Sequence, residues 1–125
     1  MANRNKFTVR FTANFDANLT LIEIFWTENE HPQGFDRLLD ELGETVVPNL
    51  ERFPRMGRPF LKSQAESVEA LARLEKIESR IAKLDSKGEL REYVMDEYLV
   101  LYAALKSAVY LLAIKHQKQL AFDFT

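Results

Sequence analysis

Few residues in this chain are equipped for chemistry. There is no cysteine among the 125 residues, which removes a thiol nucleophile, a thiolate-ligated metal and a disulfide framework. The two histidines, His31 and His116, stand far apart with no carboxylate at ligand spacing, so no metal site is expected. No glycine-rich phosphate loop occurs, and nothing groups a serine with a histidine and an acid, so neither a cofactor nor an activated hydroxyl is expected. Cationic side chains remain. Arg55 and Arg58 sit in the segment Phe53-Pro54-Arg55-Met56-Gly57-Arg58-Pro59, with Arg52 just before it. Lys115, His116 and Lys118 close the last apolar run, and Arg91 follows Leu90 near the start of another. His116 is the type that exchanges a proton near neutral pH, although such a lone histidine is more often simply an exposed or hydrogen-bonded residue. His31, beside Pro32 in a turn, is assigned no chemistry.

The surrounding composition is that of an ordinary globular chain. Hydrophobic residues make up 46% and charged residues 29%, and the formal net charge is −2. An acidic balance confines any nucleic-acid role to a local patch. One domain spanning 1–125 is expected, in a reducing, cytoplasmic setting. The start, Met1 to Lys6, is basic but leads into no apolar run of signal length, so no targeting peptide is read. Tyr98 to Ile114 is almost wholly apolar. Lys106 near its middle would be costly in lipid, which favours two strands joined by a turn over a membrane span.

The elements that must position these cations follow from periodicity. Phe7, Val9 and Phe11 alternate with Thr8, Arg10 and Thr12, the period of a half-buried strand. Asn14 or Asp16 is a candidate cap for a helix in which Phe15, Leu19, Ile22 and Trp26 form a stripe, widened by Leu21, Ile24 and Phe25. His31-Pro32-Gln33-Gly34 ends it. A second helix runs through Phe35, Leu38, Leu39, Leu42, Val46 and Leu50, with a kink or break expected near Val47 because Pro48 follows. Ser63 to Lys87 reads as a third helical segment with a narrow seam of Ala70, Leu74, Ile77, Ile81 and Leu84. Ser63 with Glu66 has the pattern of a capping box, and Gly88 that of a left-handed C-terminal residue. This segment is either an appendage on its own domain or a docking surface for a partner helix or a second copy. Three strands follow, Leu90 to Met95, Tyr98 to Leu105 and Val109 to His116, with short polar connections that imply an antiparallel meander. The tail, Leu120 to Phe124, alternates again and is expected either to pair or to cover an apolar face.

Four pieces of sequence, in this order, resemble the RelE/ParE family of type II toxin–antitoxin toxins. They are Phe53-Pro54-Arg55-Met56-Gly57-Arg58, Leu90-Arg91-Glu92-Tyr93, Tyr98-Leu99-Val100-Leu101-Tyr102, and Tyr110-Leu111-Leu112-Ala113-Ile114-Lys115-His116-Gln117-Lys118. The resemblance spans the chain apart from the insertion at 63–87. It implies an α+β fold, an antiparallel three- to four-stranded sheet packed on an N-terminal helical hairpin, with an extra inserted helix. It also implies a growth-inhibiting toxin of the plasmid-stabilisation kind, silenced by a cognate antitoxin that wraps it.

Two activities occur in that family. One is ribosome-dependent cleavage of mRNA, which needs a base for a 2′-hydroxyl, an acid for the leaving oxygen and cations for the charged phosphorane. By resemblance Arg91, His116 and Lys118 would fill those roles. The other is non-catalytic poisoning of DNA gyrase, for which Arg55, Arg58, Arg91 and Lys115 would bind target or antitoxin. Arg91 is equally readable as a structural arginine paired with a carboxylate, and Arg55 and Arg58 as solvated loop charges. The sparse basic cluster places the gyrase-binding activity ahead. A non-toxic interaction module, dimerising or binding through the inserted helix, is the reading from a different class.

Overall fold

The computed structural model describes residues 6–60, 67–119 and 121–124. The elements run β1 (Thr8–Phe11), α1 (Ala13–Glu28), α2 (Gln33–Glu41), a π-helical turn (Leu42–Val46), α3 (Val47–Arg52), β2 (Arg58–Pro59), α4 (Val68–Leu84), β3 (Glu89–Val94), β4 (Tyr98–Ala104) and β5 (Ala108–His116). The strands form one five-stranded sheet in the order β1-β5-β4-β3-β2. The last three make the expected antiparallel meander. The sheet is nevertheless mixed, not antiparallel throughout, because β1 lies parallel to β5. The two-residue strand β2 adds a fifth member that its proline and the preceding Gly57 disguise in the sequence.

Thr12, rather than Asn14 or Asp16, caps α1. Its hydroxyl accepts from the Phe15 amide at 3.3 Å and donates to the Leu111 carbonyl at 2.8 Å, so one side chain joins the helix start to β5. Phe15 and Leu38, Leu42, Val46 and Leu50 of the second helical rod bury themselves against one sheet face made by Tyr93, Val100, Tyr102, Val109, Leu111 and Ile114. Each such side chain contributes about 1.5–3 kcal/mol by leaving water.

No break occurs at Val47. The rod continues through the π-turn, where the Val47 amide donates to the Leu42 carbonyl, and Pro48 falls in the first turn of α3. The wider turn accommodates the missing proline N–H and displaces the carbonyl its ring would strike.

The other face of the sheet is also covered, so the sheet is a middle layer and is not packed on one helical hairpin alone. Leu74 and Ile81 of α4 pack with Phe60, Leu90, Leu101, Ala103 and Ala113. The tail's Phe122 and Phe124 extend that cover without pairing as a strand. Ser67 caps α4, accepting from the Ala70 amide at 3.0 Å. The expected capping pair Ser63 and Glu66 lies outside the described residues. Gly88 has no positive φ, so it is not a left-handed terminus. A Cβ there would meet Ile81 Cγ2 at 2.5 Å and Leu105 Cδ2 at 2.7 Å, so its role is to let α4 lie close to the sheet. Among the described residues no helix is long and apolar enough to cross a membrane.

The strands differ in length, and α1 makes up the difference. β5 carries an extra residue, Leu112, because Leu101 pairs with Ala113 while Tyr102 pairs with Leu111. β1 ends at Phe11, opposite Leu111, leaving the rest of the β5 edge open. Asn14 Nδ2 donates to the freed Leu112 carbonyl at 2.9 Å, and the buried Asn18 Oδ1 accepts from the Ile114 amide at 2.9 Å. The same two side-chain amides hold the tail by donating to the Asp123 carbonyl, at 3.0 and 3.1 Å.

Candidate functional site

The candidate cations occupy two separate ends of the sheet. At the β2–β3 end, Arg91 and Tyr102 are register partners on adjacent strands, and together they hold Gly57. The Gly57 amide donates to Tyr102 Oη at 2.9 Å, and Arg91 Nε donates to the Gly57 carbonyl at 2.7 Å. Only glycine fits there, since a Cβ would come within 2.5 Å of the Glu92 carbonyl oxygen. Arg91 also pairs with Glu89, which pairs in turn with Arg55. Arg55 Nη2 donates to the Lys87 carbonyl at 3.1 Å. Arg58, which is largely exposed, contacts the fully buried Glu92 carboxylate through Nη2 at 2.6 Å and Nε at 2.8 Å. All three arginines are therefore engaged in fixing the loop before α4 to β3. Burial pushes the Tyr102 hydroxyl above its ordinary pKa, against the opposing pull of the Gly57 amide and the Arg91 charge.

At the opposite end, His116 pairs across the sheet with Tyr98. Its ring meets the Tyr98 ring edge-on at 5.4 Å. His116 Nδ1 accepts from the Lys118 amide at 3.1 Å, and Nε2 lies 4.0 Å from Glu97 Oε1. Lys115 Nζ donates to the Gln119 carbonyl at 2.8 Å and stands 5.2 Å from the centre of the Phe122 ring. Arg91 and His116 align with β4 residues four apart, Tyr102 and Tyr98, on strands flanking β4. That is a displacement of about 13 Å along the sheet, plus the width of two strand spacings. His116, Lys118 and Lys115 are thus neighbours, while Arg91, Arg55 and Arg58 form a distant second group.

A cleft of about 550 Å³ opens beside His116, between α1 and the far end of β4 and β5. Leu21, Ile22, Phe25 and Trp26 line one wall, and Tyr98, Ile114 and His116 the floor. Trp26 Nε1 donates to Tyr98 Oη at 3.0 Å. Burial raises the Tyr98 pKa, aided by the Glu97 charge and opposed by the Trp26 hydrogen bond and the Arg37 charge. Leu21, Ile24 and Phe25 are about half exposed, which leaves this side of α1 apolar and open to solvent. Ile22 and Trp26 of the cleft wall were present in the sequence as part of the α1 stripe, and Leu21 and Phe25 as its widening, a width that exceeds what one buried face needs. Their grouping with Tyr98 and His116 depends on strand pairing and has no local signal. Among the described residues no group of three His, Asp or Glu is placed to hold a metal ion.

No protein-family profile matches the chain, and no curated protein matches it. Among solved structures, the chain is similar to one in the crystal structure of the toxin–antitoxin complex RelBE2 from Mycobacterium tuberculosis. The alignment covers 93% of this chain and 97% of that one, with 16% identity and a TM-score of 0.47.

Proposed function

We propose that this protein is the toxin of a type II toxin–antitoxin pair, of the ParE-like kind. It acts by binding a protein target such as DNA gyrase and is neutralised by a cognate antitoxin. The observation that carries the reading is where the four family-like sequence pieces fall. The Pro/Gly piece is the loop leading into β2, Leu90-Arg91 opens β3, Tyr98 to Tyr102 lies in β4, and Tyr110 to His116 lies in β5. These follow a strand and a helical pair, as the family outline requires. On this reading 1–125 is one toxin domain with α4 added to its core.

The separation of Arg91 from His116 supports binding over catalysis. Phosphodiester cleavage needs its acid, base and phosphorane-stabilising cations within hydrogen-bond reach of one phosphate. Arg91 already serves Gly57 and Glu89. The half-exposed apolar side of α1 and the adjoining cleft supply a surface of the kind that a partner polypeptide covers. The antitoxin is assigned to that surface.

Induced expression in a bacterial host tests this. Growth arrest relieved by co-expression of the neighbouring small gene, with cellular mRNA intact and DNA-damage signalling induced, is the expected result. Normal growth would overturn the toxin assignment. Arrest with mRNA cut at ribosome-bound sites would replace it by the RelE-like ribonuclease, and loss of that cleavage on changing Arg91 or His116 to Ala would locate its catalytic groups.

A further inference from the structure

We propose that α4 binds the phosphate backbone of double-stranded DNA through a single stripe of cations, Arg73, Lys76, Arg80 and Lys83. In sequence this helix looks evenly mixed in charge. Winding it up separates the charges. With 3.6 residues per turn the four cations fall within an arc of about 80° and extend about 15 Å along the axis. All four are exposed, while Leu74 and Ile81 point into the sheet. Glu75 and Glu78 fall on the other flank of the helix, whereas Glu69 stands in line with the cations one turn before Arg73, at the N-terminal end, where a negative charge complements the helix dipole. None of the four cations makes an ion pair or side-chain hydrogen bond among the described residues. Arg55, Arg58 and Arg91, by contrast, are each paired with a carboxylate. In a chain of net charge −2, four of the 17 Lys and Arg are thus held unpaired in one line.

The character of the stripe selects the partner. No apolar residue is interleaved among the four, so a protein helix docking there would find no buried centre to anchor it. No aromatic residue lies on α4, so single-stranded nucleic acid would find no stacking platform. What remains is a ligand held by charge along a line, which a duplex backbone provides. More than half of the helix surface faces solvent. The B-form major groove admits an α-helix, whereas the A-form groove of RNA is too narrow. The Arg forks at 73 and 80 suit phosphate oxygens, and the lysines add point charges between and beyond them. No side chain is placed to read base edges in preference to phosphates, so binding is indifferent to sequence.

The test uses the purified full chain and a short fluorescent DNA duplex, independently of any toxicity. The expected result is weak binding at low salt, with a log–log salt slope near −3.6 for four phosphate contacts. The variant R73Q/K76Q/R80Q/K83Q, whose glutamines keep helix propensity, should retain its circular dichroism and lose the binding. Single Gln replacements should each reduce the slope by about 0.9. Three outcomes would overturn the proposal. They are absence of DNA binding at low salt, equal binding by the folded four-fold variant, and binding of an RNA duplex as tight as that of DNA.

Discussion

Asn18 offers a sharp test of how the open edge of β5 is closed. Replacing it by Ala removes the acceptor for the Ile114 amide, a buried donor with β1 already ended. It also removes one of two donors to the Asp123 carbonyl, the other being Asn14. An unsatisfied buried amide costs about 1–3 kcal/mol, and the Asp123 carbonyl, on an exposed residue, can turn to water at little cost. The expected loss is therefore about 2 kcal/mol, or about 6–10 °C in Tm for a chain of this size. Denaturant midpoints give the energy, and hydrogen exchange gives its location, because the Ile114 amide should lose protection while the Val100 and Leu111 amides keep theirs. Asn18→Asp supplies a sign check. A carboxylate keeps the acceptor but loses the donor and is buried, so its folded pKa must rise above the ordinary value of about 3.9. Its deficit relative to wild type should be fully present near neutral pH and shrink as pH falls and the carboxyl protonates. A loss below about 0.5 kcal/mol in Asn18→Ala, with Ile114 still protected, would refute the claim that this side chain closes the edge.

Other expectations follow from the same geometry. Tyr98 and Tyr102 both have raised folded pKa values, so the native state favours their neutral forms. Their contribution is constant below the unfolded value of about 10 and is lost as pH rises from there through the folded values, which urea midpoints taken across that range would reveal. Tyr102→Phe should flatten this alkaline limb while costing about 1–3 kcal/mol at neutral pH, since the Gly57 amide loses its acceptor. Gly57→Ala should destabilise by at least about 1–3 kcal/mol, because its Cβ would meet backbone at Glu92 as well as the Tyr102 ring. Deleting 63–87 should yield an aggregating or unfolded chain, read by light scattering and circular dichroism, because Leu90, Leu101, Ala103 and Ala113 would lose the cover of Leu74 and Ile81.

What could be read in advance divides along a physical line. Local signals located the elements. The apolar run from Tyr98 to Ile114 broken by Lys106-Ser107, and the stripe at Phe15, Leu19, Ile22 and Trp26, depend on neighbours within a turn or a strand, and both were legible. Relations between distant segments were not. Nothing local says that Thr8 aligns with Ala108 in parallel, since the alternation of β1 is the same for either direction of pairing. The tiny β2 is held by a latch in which Tyr102 and Arg91 fix Gly57, and by the Arg58–Glu92 pair, contacts assembled from separate parts of the chain. Arg91 shows the consequence for function. In sequence its guanidinium is equally a phosphate ligand and a structural group. Once folded, its Nε and Nη1 already have partners in Gly57 and Glu89. The inserted segment shows the reverse. Its seam of Leu74 and Ile81 packs on its own domain, as one of the two readings had it, and there forms the lid of a second core. Because that seam is used internally, only the outward flank remains for a partner. That flank carries Arg73, Lys76, Arg80 and Lys83 with nothing apolar between them, which turns the choice of partner from apolar packing to charge.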